Sequence, residues 1–153
     1  MLTSFTIQNF RLFKDLTLEP LAPLNLISGK NNVGKTTLLE ALWLYSGSYN
    51  PNLTMGLNTF RGITMFPLSA TGITSIWDNL FRNFETESEI LFKAKRTPEV
   101  AHQLRISLHD TSQVKISVKD QLDTIEAGQQ SDNVFPELVY HTTFPDGRVI
   151  DQH

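Results

Sequence analysis

Apolar and polar positions alternate strictly at both ends of the chain, and a different rhythm lies between them. Thr3–Gln8 places Phe5 and Ile7 on one side, the period of a half-buried strand. Asp15–Glu19 does the same with Leu16 and Leu18, so Asn9–Lys14 is expected to connect a hairpin. After Pro20 and Pro23 the run Leu24–Ser28 is almost continuously apolar, which predicts a strand covered on both faces. Lys35–Ser46 then reads as a helix. Leu38, Leu39, Ala41, Leu42, Trp43, Leu44 and Tyr45 make it apolar nearly all round, as in helices buried inside larger assemblies, and Gly47 is a plausible stop.

From Ser48 to Gly72 glycine, proline, asparagine and threonine dominate, and the pattern predicts a long loop. A short helix is expected over Ser75–Phe84, where Trp77, Leu80, Phe81 and Phe84 follow i, i+3, i+4, i+7 spacing. Such aromatics belong to a core far more often than to a base-stacking platform. Alternation returns at Ile90, Phe92 and Ala94, at Leu104, Ile106 and Leu108, and at Val114, Ile116 and Val118. Asp110–Gln113 reads as a turn and Ala127–Asn133 as a polar loop. Leu138–Thr143 and Arg148–Asp151 flank Phe144-Pro145-Asp146-Gly147, a strong hairpin signal. The chain thus divides into 1–47, a first lobe; 48–72, a loop; and 73–153, a short helix with an antiparallel β lobe.

Candidate chemistry sits at the junction of the apolar run and the first helix. Gly29–Thr37, GKNNVGKTT, matches G-x-x-x-x-G-K-[ST] at every fixed position. Gly29 and Gly34 permit backbone torsions and close approach that a Cβ would block. The amides of Lys30, Asn31, Asn32 and Val33 between them can then point inward as an anion-binding nest. Lys35 supplies a mobile positive charge to the β- and γ-phosphates and is the candidate catalytic residue. The Thr36 hydroxyl is suited to a magnesium ion, and Thr37 follows it into the helix. The N-terminus of that helix offers further unpaired N–H groups to phosphate. An ordinary glycine turn capping a helix would demand neither the lysine nor the threonine. The expected ligands are therefore ATP and Mg2+.

Composition narrows the alternatives. At 153 residues the chain matches one ordinary domain, with 40% hydrophobic and 19% charged residues. A net charge of −3 gives no global attraction to nucleic acid or anionic membrane. The absence of cysteine excludes disulfides, thiolate zinc sites and cysteine nucleophiles. The N-terminus lacks the pattern of a signal peptide, and the apolar run Leu38–Tyr45 is too short to span a bilayer. A cytoplasmic location is the default expectation. His102, His109, His141 and His153 have no metal-ligand spacing, and no G-x-S-x-G elbow is present. Lys93, Lys95 and Arg96 are better read as a solvated sheet face than as a nucleic-acid patch.

The segment FTIQNFRLFKDLTLEPLAPLNLISGKNNVGKTTLLEAL resembles the start of RecF/SMC-like ATPases of the ABC class. Within these it is most similar to AAA-type ATPases of the OLD (overcoming-lysogenization-defect) group. Asn9-Phe10-Arg11, the apolar run into Gly29, Asn32 and Leu39-Glu40-Ala41-Leu42 carry the likeness, which covers about the first 45 residues. The resemblance implies an α/β P-loop NTPase of the ABC/RecF type, a mixed sheet around the P-loop helix plus an antiparallel β lobe. It implies a homodimer of ATP-sandwiched heads, with a DNA-processing or defence effector in the complete protein. It also puts Arg11 near the nucleotide, as a phosphate or base contact; a solvated turn residue is the competing reading.

Such an ATPase needs an apolar strand ending in Asp-Glu to hold magnesium and activate water. Leu104–Asp110 is interrupted by Arg105 and His109, and Val149-Ile150-Asp151 is too short and precedes Gln152. A signature loop of the LSGGQ kind is absent too. Gln103 and Gln113 are candidate metal contacts by residue type alone. The simplest expectation is an N-terminal portion of a longer protein, slow or inactive in hydrolysis by itself. Two other readings remain open: a non-catalytic module using ATP as a structural switch, and a small-molecule kinase, against which the hairpin before the P-loop argues.

Overall fold

The computed structural model describes residues 1–48, 50–62, 77–97, 100–111 and 135–153. The first alternating segments form β1 (Leu2–Phe10) and β2 (Phe13–Leu18). They pair antiparallel with Phe5 opposite Leu18, Ile7 opposite Leu16 and Phe10 opposite Phe13, so the expected connection Asn9–Lys14 shrinks to Arg11 and Leu12. Asn9 and Arg11 take left-handed torsions, φ 55° and 51°. Each is fixed by a hydrogen bond: Asn9 Nδ2 donates to the Glu89 carbonyl at 3.1 Å, and the Arg11 amide donates to the Leu80 carbonyl at 2.9 Å.

Four more strands complete one sheet: β3 (Ile90–Arg96), β4 (Val100–Thr111), β5 (Phe135–Thr143) and β6 (Val149–Gln152). The order is β2-β1-β3-β4-β5-β6, and every pairing is antiparallel. Alternation puts Phe5, Ile7, Phe92, Ala94, Leu104, Ile106 and Tyr140 on one face, all buried. Helix α1 (Lys35–Ser46) covers that face with Leu38, Ala41, Leu44 and Tyr45; the Phe5 and Tyr45 rings meet edge-on at 5.3 Å. Helix α2 (Asn52–Phe60) adds Leu57 to the same core. The opposite face is polar. Thr6 faces Thr17 at 3.0 Å, Gln8 Nε2 donates to Asp15 at 3.0 Å, and Lys93 and Lys95 stand exposed.

Several expectations are corrected. Leu24–Ser28 is not a strand: Leu24 is 89% exposed and Leu26 94%, and none of the six strands pairs with this run. An apolar run becomes a doubly buried strand only when neighbours supply a ladder on its edges and cover on its faces. The expected mixed sheet is for the same reason absent among the described residues, whose ladders are all antiparallel. Helix α1 matches its expected ends, but only one side is covered, leaving Leu39 61% and Trp43 36% exposed.

Within the stretch read as loop, Asn52–Phe60 is helical. Its Asn, Thr and Gly have poor intrinsic helix propensity, and packing of Leu57 with burial of Thr54 and Asn58 overrides that preference. Residues 63–72 lie outside the described residues. The helix expected over Ser75–Phe84 is described from Trp77 and does not run to Phe84. Phe81 is extended and bridges Phe10, and Asn83 and Phe84 have φ of 54° and 63°. Leu80 and Phe81 reach the core, and Trp77 packs against it, whereas Phe84 is 71% exposed rather than core.

Asp110 and Thr111 continue β4 opposite Pro136 and Phe135 instead of turning. The remainder of that expected turn, the Val114–Val118 strand and the Ala127–Asn133 loop lie outside the described residues. The last hairpin forms as its sequence predicts, with the Gly147 amide donating to the Phe144 carbonyl at 3.0 Å and the Phe144 amide to the Arg148 carbonyl at 2.8 Å.

Candidate functional site

Residues 29–33 form an exposed turn that hands the chain into α1 at the buried Gly34. Gly34 has φ 98°, and a Cβ there would lie 2.8 Å from Phe13 Cζ and 3.1 Å from Leu12. No other residue type fits both the torsion and the space. The hairpin turn between β1 and β2 therefore presses directly on the start of the helix. Asn32 also takes a left-handed conformation, φ 63°.

Lys35 Nζ donates to the Gly29 carbonyl at 2.7 Å and to the Lys30 carbonyl at 2.6 Å, which places its ammonium group against the turn. Thr36 is exposed and Thr37 buried. A cavity of about 820 Å³ opens here, lined on one side by Asn31, Asn32, Gly34, Lys35, Thr36 and Thr37. Leu12 faces them from the hairpin, and Glu40, Phe60 and Arg61 close the remaining wall. Of the residues singled out in the motif, Gly29 and Lys30 contribute through their carbonyls, and Val33 is half exposed and outside the lining.

Arg11 lies elsewhere. Its side chain is only 7% exposed, 3.3 Å from Glu40 Oε2, and its guanidinium stands over the Phe10 ring at 5.5 Å. It is not a solvated turn residue, and it is not among the residues lining the cavity. Burial lowers its pKa to about 10, against the pull of Glu40 and with a smaller push from Arg61. Arg11 Nε and Nη2 are buried with no hydrogen-bond partner among the described residues.

Glu40 and Arg61 are the residues that sequence reasoning missed. Glu40 is buried one helical turn beyond Thr36, and its carboxylate accepts from Arg61 Nε at 2.9 Å and Arg61 Nη2 at 2.8 Å. This is the two-pronged geometry that matches a guanidinium to a carboxylate. A lone glutamate amid Leu and Ala on an otherwise apolar helix was a usable signal, since an unpaired buried carboxylate is rare. Arg61 had none, because the element that carries it read as loop.

Elsewhere, Lys93 and Lys95 stand on the polar face of the sheet, where Gln103 pairs with Lys93. His141 contacts Asp151 at 2.7 Å, and Ser107 contacts His109 at 3.0 Å. Among the described residues, no group of three or more His, Asp or Glu side chains is placed to hold a metal ion. No helix of the described residues is long and apolar enough to cross a membrane.

Comparison with known proteins places the chain among ATPases. The chain is 28% identical over 131 residues to an ATP/GTP phosphatase of Helicobacter pylori, covering 86% of this chain and 34% of that protein. It is 45% identical over 53 residues to an OLD nuclease of Thermus scotoductus, 35% of this chain and 10% of that protein. It is 44% identical over 76 residues to the DNA replication and repair protein RecF of Nitrosococcus oceani, 49% of this chain and 18% of that protein. The chain thus spans about a third or less of the length of these three relatives. A family model described as the AAA ATPase domain matches residues 1–141. With nearly its whole length matched, and with RecF- and OLD-like relatives, the chain belongs to the AAA ATPase domain family.

Proposed function

We propose that Gly29–Thr36 binds the triphosphate of ATP together with magnesium, as part of an ATPase head of the ABC/RecF type. The observation that carries this reading is the cavity in which Lys35, Thr36 and a turn closed by Gly34 share one wall. Lys30, Asn31, Asn32 and Val33 would offer amides to the phosphate oxygens, Lys35 would neutralise the β- and γ-phosphates, and Thr36 would hold the metal. Magnesium would rest on Thr36 and phosphate oxygens, since Glu40, the one carboxylate among the described lining residues, is taken up by two arginines. Arg61 brings a further cation to the wall. Arg11 supports the site from behind Glu40 in this reading.

Phosphoryl transfer to water needs a group that orients and activates the water. Glu40 is unsuited to that role because its two oxygens already accept charged hydrogen bonds. Hydrolysis is therefore assigned to the complete protein, with homodimeric heads sandwiching ATP and acting on DNA or driving a defence effector. The names of the RecF and OLD nuclease relatives support that extension. The second reading, a non-catalytic module that uses ATP as a switch, draws on the same engagement of Glu40.

Titration of a fluorescent ATP analogue against the chain and its Lys35→Ala variant tests the binding. Removing the ammonium is expected to weaken affinity about tenfold or more, and equal affinities would overturn the assignment. Phosphate release abolished by Lys35→Ala would exclude the non-catalytic reading.

A further inference from the structure

Three elements meet on one carboxylate. Glu40 of α1 binds Arg61, just past α2, through both oxygens, and the same Oε2 lies 3.3 Å from Arg11 Nη1 in the turn between β1 and β2. Glu40 and Arg11 are both nearly shut off from water, whereas Arg61 is 40% exposed and lines the cavity. The cluster holds two cations against one anion, so its charge is not balanced internally. Two of the Arg11 nitrogens are also left without a hydrogen-bond partner among the described residues. A cluster built for stability alone would be expected to pair its charges and satisfy its buried donors. This one instead leaves an excess of positive charge beside a cavity whose described lining also includes Lys35.

We propose that Glu40 is a positioning residue for nucleotide binding, which fixes Arg61 in the cavity wall as a preorganised contact for polyphosphate. The inference rests on the function assigned to Gly29–Thr36 and adds to it the group that orients a cation from outside the loop. The clamp defines the distance between α1 and α2 across the cavity mouth. It also fixes the planar guanidinium of Arg61 through both of its bonded nitrogens, which removes rotamer freedom before a ligand arrives. Arg11 holds the shared oxygen from the other side. Without Glu40 the α1 helix would still form and pack through Leu38, Ala41 and Leu44. Arg61 would then be a mobile surface side chain.

A double-mutant cycle on the full chain tests this, with affinity for a fluorescent ATP analogue and the thermal midpoint measured for every variant. Glu40→Gln and Arg61→Ala are each expected to weaken binding about five- to tenfold. The double variant should bind no more weakly than Arg61→Ala, because Glu40 acts through Arg61. An unchanged affinity in Glu40→Gln would overturn the inference, as would an equal further loss when Glu40→Gln is added to Arg61→Ala. Should Glu40→Gln not give a folded protein, Glu40→Asp replaces it. That variant keeps the charge one methylene further back, so it should lose affinity by a smaller factor in the wild-type background only. Lys35→Ala runs in parallel. If it too leaves binding unchanged, the site assignment itself fails; if it abolishes binding while the Glu40 variants do not alter it, only the positioning role fails.

Discussion

Gly34 and Gly147 both adopt positive φ, yet for different reasons and with different consequences. At Gly147, φ 82°, a Cβ would meet nothing within 4 Å, so an added methyl group carries only the torsional cost of a left-handed residue. Gly147→Ala is expected to lower stability by about 1 kcal/mol, read from urea unfolding, with no change in nucleotide affinity. At Gly34 the same torsional cost is joined by a 2.8 Å approach to Phe13. Gly34→Ala must displace either the hairpin turn or the loop, and the affinity for an ATP analogue should fall with the stability. Both glycines were legible from their sequence contexts, one in a phosphate-loop motif and one in a Pro-Asp-Gly turn. Arg11 was only half legible. Its neighbours in Asn9-Phe10-Arg11 marked it as special, but the partner that buries it, Glu40, is 29 residues away and had to be brought there by the fold.

Elements with strict alternation were the legible ones, because period-two patterning records which side of a sheet is covered. Phe5 and Ile7, Ile90 to Ala94 and Leu104 to Ile106 all point where alternation puts them. Continuous apolar runs carry no such record. Leu24–Ser28 and the outer side of α1 were both read as buried, and both are exposed among the described residues. The contrast is measurable. Leu44→Ala, in the core, should cost about 2–5 kcal/mol in a denaturant melt. Leu26→Ser should shift the same melt by no more than about 0.5 kcal/mol. A larger loss at Leu26 would mean that the run is covered in solution. Helix α2 failed in the opposite direction. Its composition disfavours a helix, and Leu57, Thr54 and Asn58 hold it by burial against the rest of the molecule.

For the molecule as a whole, the pH response should report on one half-buried imidazole. His102 meets Tyr45 edge-on at 5.0 Å and Phe144 at a tilt at 5.4 Å, and its pKa lies below the usual 6.5 through burial and, secondarily, through Arg96. A folded value below the unfolded one means that the unfolded chain takes up the proton more readily. The stability this supplies is complete above the unfolded pKa and is lost as pH falls through the folded one. The thermal midpoint should therefore drop as pH falls below the usual histidine value of 6.5, and His102→Gln should make that drop shallower. A His102→Gln profile identical to wild type would remove this residue as the cause. On the scale of the whole chain, the sequence by itself determined the G-x-x-x-x-G-K-[ST] turn, the helix that follows it and most of the strand faces. Each of these rests on residues close together in the chain, where local torsions and periodicity act. Only the tertiary structure decided that one antiparallel sheet takes strands from both ends, that α2 exists, and that Arg11 and Arg61 share the Glu40 carboxylate. Those features depend on contacts between residues far apart in sequence, whose energies appear only once the core has closed.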